Sequence, residues 1–413
     1  MEGVTLTESQ SASVALTVEQ AQALEVLGQK LASSATWWGD DDQTPPKSVI
    51  DVSRDPNGNW AVLVREAVGV ISVDDLQLVV QPKIKLDHFL YLACESGVVP
   101  RIEKQPTQID PLKSLWEVFA HWFVYATEAV VRGELAKGYR EATDELELSR
   151  GRILALETGR AFYEGRPVIA CEFEEFSADI ALNRLLKAGC DMVASSAVLE
   201  RDLRRKARAA LARMTEVGAL KFSDFRAEVD RLTHRYEEAV AFAKVLLRGE
   251  GTKISHGGTR GWCFLIRTPE LVEAGIREIL KRHLGARWQV AKKPKAISGA
   301  GMTLNPDLVF GQGLAVGDVK YKLLETQWGR ADLYQAVAFA AGFESQNVIV
   351  VGFRDEGGIP LPPAVRFGPI EVQALAWDAM EGSDPEQSGE YLSNKVRDFL
   401  EASLRRNQGY RVR

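Results

Sequence analysis

The sequence reads Asn305-Pro306-Asp307-Leu308-Val309-Phe310 and then, after the glycine-rich turn Gly311-Gln312-Gly313, Gly317-Asp318-Val319-Lys320-Tyr321. Short apolar, β-prone runs beside the acids predict two neighbouring strands joined by that turn. Side chains alternate between the two faces of a strand, so Asp318 and Lys320 are expected to project from the same side. Asp307, at the start of the preceding strand, can reach that side too.

The following residues continue an α/β pattern. Residues 332–343 read as a helix that ends at Gly342, and residues 347–353 read as a buried apolar strand. The order strand, strand, helix, strand predicts a mixed sheet in an α/β (α+β) fold.

Two carboxylates and one ammonium on one sheet face suit a metal-dependent phosphodiester hydrolase. Carboxylate oxygens are hard ligands for Mg²⁺, and a bound ion can polarise a phosphate and activate water. The structural alternative is a solvated strand face, because Asp-x-Lys is common on exposed strands. The chain has no Gly-x4-Gly-Lys-Ser/Thr loop and no Gly-x-Ser-x-Gly elbow, and its five histidines show no ligand spacing. Other hydrolase classes are therefore disfavoured.

Pro306-Asp307…Asp318-x-Lys320 resembles the PD-(D/E)xK nuclease signature. The segment Asp318-Val319-Lys320-Tyr321-Lys322…Asp332-Leu333-Tyr334-Gln335 is similar to McrC, the nuclease subunit of McrBC modification-dependent restriction systems. Three upstream elements agree with that family in the same order, and with them the resemblance runs from about residue 75 to 355. They are Val79-Val80-Gln81-Pro82-Lys83-Ile84, Ser149-Arg150-Gly151-Arg152-Ile153 and Glu175-Phe176-Ser177-Ala178-Asp179…Asn183-Arg184-Leu185-Leu186-Lys187.

The resemblance implies roles for individual residues. Asp307 and Asp318 match metal ligands, Lys320 the catalytic lysine and Gln335 a glutamine that follows the core. Glu273 matches a helical glutamate near the metal site. The implied cofactor is Mg²⁺, with Mn²⁺ able to substitute.

The sequence departs from the family where Arg267-Thr268-Pro269 replaces an Asp-Met-Asn-like stretch. Thr268 reads as an N-cap and Pro269 as the first helical residue. Glu270 then has an ordinary place near the helix dipole.

Length, composition and charge narrow the class of protein to which the chain can belong. The chain has 413 residues, 46 % hydrophobic and 26 % charged, enough for two or three folded domains. Its four scattered cysteines read as free thiols in a reducing cytoplasm. We expect no membrane span and no signal peptide.

The net charge of −6 argues against tight DNA binding by the chain alone. A basic cluster just before Asp307 is the best candidate for a phosphate-contacting edge: Lys281, Arg282, Arg287, Lys292, Lys293 and Lys295.

Two domains are expected. Residues 1–176 would form a β-rich and helical region that docks a partner, with a helix at 18–31, a linker at 39–46 and β-runs at 49–52, 60–65, 69–73 and 78–80. Two extended segments, 146–155 and 167–176, would form a hairpin-like projection that carries Arg150 and Arg152. Residues 177–413 would hold a helical section and the nuclease core. Asn183, Arg184 and Lys187 could form a hydrogen-bonding set or a structural ion pair.

The resemblance implies docking onto an McrB-like AAA+ GTPase or other NTPase ring, and a double-stranded DNA substrate that could be modified. Arg150 or Arg152 could then stimulate NTP hydrolysis as an arginine finger does. Two alternatives stay open: a non-enzymatic adaptor that activates the ring, and a stand-alone DNA repair nuclease.

Overall fold

A computed structural model describes residues 2–33, 48–74, 76–97, 115–196, 199–248, 254–256, 259–297, 302–354, 359–380 and 382–410; the predicted linker at 39–46 lies outside them. The helices are α1 Val18–Ala32, α2 Leu86–Glu95, α3 Leu115–Arg132, α4 Ala155–Tyr163, α5 Ala181–Ser195, α6 Arg201–Leu211, α7 Glu237–Arg248, α8 Pro269–Leu284, α9 Arg330–Gly342 and α10 Pro385–Tyr410. The strands are β1 Glu2–Thr7, β2 Ser11–Val14, β3 Ile50–Arg54, β4 Trp60–Val64, β5 Ala67–Val73, β6 Leu76–Gln81, β7 Gly138–Leu146, β8 Arg152–Ile153, β9 Ile169–Ser177, β10 Ile254–His256, β11 Thr259–Arg267, β12 Lys295–Ile297, β13 Met302–Leu304, β14 Leu308–Phe310, β15 Ala315–Leu323, β16 Asn347–Arg354, β17 Val365–Phe367 and β18 Ile370–Asp378. The fold is mixed α/β, as predicted.

The N-terminal region is built from two sheets and α1. One sheet has the order β1-β6-β5-β11-β10, and the other has the order β2-β4-β3. Leu24 and Leu27 of α1 are fully buried in a core shared with Val62 and Ile71. The predicted helix and the four predicted β-runs are confirmed. Strands β1 and β2 were not predicted.

The chain divides into two compact units, residues 1–116 with 250–413 and residues 117–249. This division differs from the predicted one after residue 176. The reason is strand pairing: β11 lies antiparallel to β5 from Gly261↔Val73 to Arg267↔Ala67 and so completes the N-terminal sheet. The close approach requires glycine at position 69, where φ is +145° and an added Cβ would lie 1.9 Å from the Phe264 carbonyl oxygen.

The second unit, residues 117–249, contains a three-stranded sheet of order β7-β9-β8 and several helices. β7 pairs antiparallel with β9 along its whole length. The predicted pair of extended segments is therefore partly right, but α4 occupies Ala155–Tyr163 between them and was not predicted. The predicted helical section after residue 179 is confirmed by α5, α6 and α7.

Both readings of the buried polar set on α5 hold, each for different residues. Asn183 donates to two backbone carbonyls at 2.7 and 2.8 Å, and Lys187 donates to another. Arg184 forms an ion pair, with two nitrogens each 2.8 Å from an oxygen of Asp224 and a third contact to Asp179. These bonds hold α5 to other segments of residues 117–249.

A third sheet, in the first unit, has the order β14-β15-β16-β18-β17. β15, β16 and β18 run parallel, and the edge strands β14 and β17 run antiparallel to their neighbours. This confirms the mixed sheet and the turn between β14 and β15. Ala336, Phe339 and Ala340 of α9 cover the sheet in a core with Val316 and Val348.

Helix α8 packs against α2 at very short range. An added Cβ on Gly275 would lie 2.3 Å from the Leu92 carbonyl oxygen, so only glycine fits this crossing. α8 begins at Pro269 after Thr268, as predicted. Glu270 in its first turn pairs with Arg267 at 2.5 Å.

Among the described residues, no helix is both long and apolar enough to cross a lipid bilayer.

Candidate active site

Five predicted site residues come from four neighbouring places in the first unit. Asp307 immediately precedes β14, Asp318 and Lys320 lie on β15, Glu273 lies on α8 and Gln335 lies on α9. The shared face of β15 is confirmed, because Lys320 Nζ lies 2.8 Å from Asp318 Oδ2. Lys320 Nζ also donates to Gln335 Oε1 at 2.6 Å. The lysine is therefore held between a carboxylate and an amide.

Asp307 is the central member of the carboxylate group. It is buried, and its Oδ2 accepts a hydrogen bond of 2.9 Å from the Val319 backbone N–H, between Asp318 and Lys320. Its carboxyl group interacts with those of both Glu273 and Asp318. The carboxylates are thus neighbours in pairs that share Asp307.

Burial and mutual repulsion disfavour three ionised carboxylates at this place. Desolvation raises the pKa of Glu273 well above its ordinary value of 4.5, and the charge of Asp307 raises it further. Desolvation also raises the pKa of Asp318 above its ordinary value of 3.8, although Lys320 opposes the rise. When the pKa of a carboxyl group is raised in this way, a nearby cation stabilises its charged form.

The structure adds one residue to the site that was not singled out from the sequence. Lys292 Nζ lies 3.7 Å from Glu273 Oε2 and 3.7 Å from Asp307 Oδ1. It reaches them because Ala291 forms an isolated antiparallel bridge with Val309 of β14. The sequence had placed Lys292 only in a broad basic cluster.

Four other members of that basic cluster have other partners. Arg282 pairs with Glu95, and Lys281 lies 2.5 Å from Glu278. Arg287 and Lys295 make long contacts, 3.9 Å to Glu401 and 4.0 Å to Glu344. Contact of the cluster with phosphate stays a prediction.

The chemistry of the site fits a divalent cation. Asp318 Oδ2 is buried and lies 2.8 Å from the Lys320 ammonium. A buried carboxylate beside two more carboxylates is a hard donor set of the kind that Mg²⁺ prefers. Within the described ranges, no group of three or more His, Cys, Asp and Glu side chains is arranged to hold a metal ion. Asp307, Asp318 and Glu273 are the residues that would hold the ion.

Arg150 and Arg152 belong to the second unit. Arg152 lies on the short strand β8, is largely exposed and pairs with Glu172 at 3.2 Å. The Arg150 guanidinium lies 4.3 Å from the ring centre of Phe173. These contacts are compatible with surface charges and leave a partner role as a prediction.

Fold and site together define an α/β protein with a buried carboxylate group flanked by lysines. The chain belongs to the family described as the McrBC 5-methylcytosine restriction system component, whose profile matches residues 62–350. This confirms the resemblance carried by the sequence motifs. A comparison with curated proteins gave no match.

Solved structures with a similar chain include two of McrB and McrC assemblies. One is a refined half-complex from a tetradecameric assembly of Thermococcus gammatolerans McrB AAA+ hexamers with bound McrC. Its TM-score is 0.65 at 18 % identity, covering 96 % of this chain and 100 % of that chain. At this identity the likeness shows the fold alone. The other is a cryo-EM structure of the Thermococcus gammatolerans McrBC complex, with a TM-score of 0.45 at 19 % identity, covering 69 % of this chain and 88 % of that chain.

Proposed function

We propose that this restriction-system component is its DNA endonuclease subunit and acts through Mg²⁺ at the carboxylate group. The observation that carries the proposal is the grouping of Glu273, Asp307 and Asp318, with Lys292 beside Glu273 and Asp307 and with Lys320 beside Asp318. Three carboxyl groups thus share two ammonium groups in one partly buried place.

The residues divide the chemistry between them. A bound divalent ion supplies Lewis-acid stabilisation of the phosphate and a more acidic water. Gln335 fixes Lys320 so that its ammonium group lies beside the carboxylates, where negative charge develops on the phosphate. Val319 N–H orients Asp307 toward the same point. Mn²⁺ should replace Mg²⁺, because it accepts the same oxygen ligands.

The partner in this proposal is an McrB-like AAA+ NTPase ring. The solved structure of TM-score 0.65 contains McrB AAA+ hexamers with bound McrC, and this chain has the fold of the chain that it matches there. The second unit exposes large apolar side chains near Arg150 and Arg152, as protein interaction surfaces do: Leu148, Ile153, Leu156, Phe162 and Tyr163. The arginines would then add positive charge near the NTP of the ring. A DNA substrate implies a cytoplasmic location.

Cleavage of supercoiled plasmid, unmodified and methylated, tests the proposal. The purified full chain is incubated with Mg²⁺ or EDTA, alone and with the ring protein and its nucleotide. We expect Mg²⁺-dependent cleavage only with the partner. Cleavage by the chain alone would favour a stand-alone nuclease, and NTPase stimulation without any cleavage would favour the adaptor.

A further inference from the structure

A buried glutamate in the N-terminal region contacts the residue before α8, which carries Glu273, and a segment that in turn contacts β15. Glu8 follows β1 and is fully buried. Its Oε2 accepts a hydrogen bond of 2.7 Å from Thr268 Oγ1, and its Oε1 accepts one of 3.3 Å from the Lys83 backbone N–H. Thr268 immediately precedes α8, the helix that carries Glu273. The Thr268 hydroxyl thus bonds Glu8 and does not cap its own helix.

Lys83 extends the connection to the catalytic strand. Its Nζ donates a hydrogen bond of 3.0 Å to the backbone carbonyl oxygen of Tyr321 and lies 4.8 Å from the centre of the Tyr321 ring. Tyr321 directly follows Lys320. One segment of the N-terminal region therefore holds the backbone beside the catalytic lysine.

The strand needs such support at this point. β15 pairs regularly with β16 up to Val319↔Val351, but the next pair is Leu323↔Phe353. More residues of β15 than of β16 lie between these pairs, as in a β-bulge, so residues 320–322 leave the regular register. A buried carbonyl in such a stretch requires a donor from elsewhere, and Lys83 supplies it. A bulge also re-aims side chains, and here it lies where Lys320 projects.

We propose that Glu8, Lys83 and Thr268 are positioning residues of the nuclease site. Through Lys83 they set the backbone that aims Lys320, and through Thr268 they set the start of the helix that carries Glu273. This inference rests on the proposed nuclease function. It gives the Pro82-Lys83-Ile84 element a physical role in the catalytic centre, although it lies in the N-terminal region. Changes in that region are then expected to alter cleavage without any contact with DNA.

The contact of Lys83 with Tyr321 and the contact of Thr268 with Glu8 predict different defects when they are removed. Lys83→Met removes the donor to Tyr321 but keeps the apolar stem, so Lys320 should lose its alignment. Thr268→Val removes the hydroxyl at nearly constant volume, so the metal-ligand side should be disturbed. Loss of a contact that orients a site residue typically lowers activity or metal affinity by about 10- to 100-fold.

The experiment measures three quantities on the full chain: thermal unfolding, Mn²⁺ affinity by electron paramagnetic resonance and plasmid cleavage under the conditions in which wild type cleaves. For Lys83→Met we expect kcat to fall about tenfold, while KM and Mn²⁺ affinity stay as in wild type. For Thr268→Val we expect Mn²⁺ affinity to fall about tenfold. Lys85→Met is the matched control, because Lys85 is exposed on the same segment, and it should leave all three unchanged.

Lys83→Arg keeps a charged donor and should recover part of the lost rate. Wild-type kcat in Lys83→Met together with wild-type Mn²⁺ affinity in Thr268→Val overturns the inference, even if both variants unfold at a lower temperature. A wild-type chain that neither binds Mn²⁺ nor cleaves DNA refutes the proposed function itself. If Lys83→Met does not fold, the Mn²⁺ affinity of Thr268→Val alone decides.

Discussion

Replacing Lys292 should tighten metal binding by the candidate site. The ammonium lies 3.7 Å from each of Glu273 Oε2 and Asp307 Oδ1, and its side chain is only 29 % exposed. Its ion pairs among the described residues are with these two carboxylates, whereas Lys320 is also held by Gln335. Lys292 therefore supplies the counter-charge that a bound divalent ion would supply. A metal must displace this ammonium or tolerate its repulsion.

The distances set the size of the effect. Two unit charges about 4 Å apart attract by about 1 kcal/mol even when they are screened as in water. Two such contacts amount to about 2 kcal/mol, and the partial exposure of Lys292 argues against a larger value. A difference of about 1.4 kcal/mol is a factor of ten in affinity. We therefore expect Lys292→Met to bind Mn²⁺ about tenfold more tightly than wild type.

Mn²⁺ titration followed by electron paramagnetic resonance measures this affinity directly, because free and bound ions differ in signal. Lys293→Met is the control: Lys293 is the adjacent residue and is exposed, so its loss should leave the affinity unchanged. Lys292→Arg retains the charge and should bind as wild type does. Equal or weaker Mn²⁺ binding by Lys292→Met would refute the reasoning.

Three further predictions follow from other parts of the chain. Asp224→Ala should lower the free energy of unfolding by about 3 kcal/mol in urea, because a mostly buried guanidinium on Arg184 loses two bonds; a change under about 1 kcal/mol would contradict this. Burial raises the pKa of Asp224, but the hydrogen bonds from Arg184 and the Lys221 backbone, together with the charges of both residues, lower it overall. This stabilisation is therefore present above the ordinary pKa of 3.8 and should be lost as the pH falls through lower values, in wild type and not in the variant. Gly275→Ala should force α8 away from α2 and weaken Mn²⁺ binding, and wild-type affinity would show that the close crossing does not position the site. The double variant Arg150→Ala/Arg152→Ala should reduce stimulation of NTP hydrolysis by the ring without changing Mn²⁺ affinity; unchanged stimulation would make both arginines ordinary surface charges.

Local patterns in the sequence were sufficient for the centre of the site. The turn at Gly311-Gln312-Gly313, the strands on either side of it and α9 all follow from turn chemistry, β-propensity and helix-end signals over short spans. Alternation along β15 then places Asp318 and Lys320 on one face. These features need no information from distant parts of the chain.

The missing site residue depends on a contact that no local pattern encodes. Lys292 reaches Asp307 because Ala291 forms a β-bridge with Val309. In the sequence, Lys292 is only one of several basic residues spread over loops and helix ends. Glu8 was missed for the same reason. A single acid near the N-terminus gives no sign that it will be buried against Thr268. A buried acid is rare enough that composition alone does not predict it.

The domain division was missed because β11 returns to a sheet formed mostly by the first part of the chain. Pairing between strands far apart in sequence leaves no periodic signal in either strand. α4 was missed for a different reason. Leu156, Phe162 and Tyr163 are exposed, so this helix lacks the buried apolar stripe by which helices are recognised in a sequence.

The most direct test of the central claim compares two lysines on the same strand. Lys320 contacts Asp318 in the candidate site, whereas Lys322 pairs with Asp332 at the surface. Plasmid cleavage by the assembled complex is measured in Mg²⁺ for Lys320→Met, Lys322→Met and Asp318→Ala, with ring binding checked for each. We predict loss of cleavage in Lys320→Met and Asp318→Ala, by about 100-fold or more, and near wild-type cleavage in Lys322→Met. Wild-type cleavage by Asp318→Ala or Lys320→Met at saturating Mg²⁺ would contradict the assignment of this carboxylate group as the nuclease site.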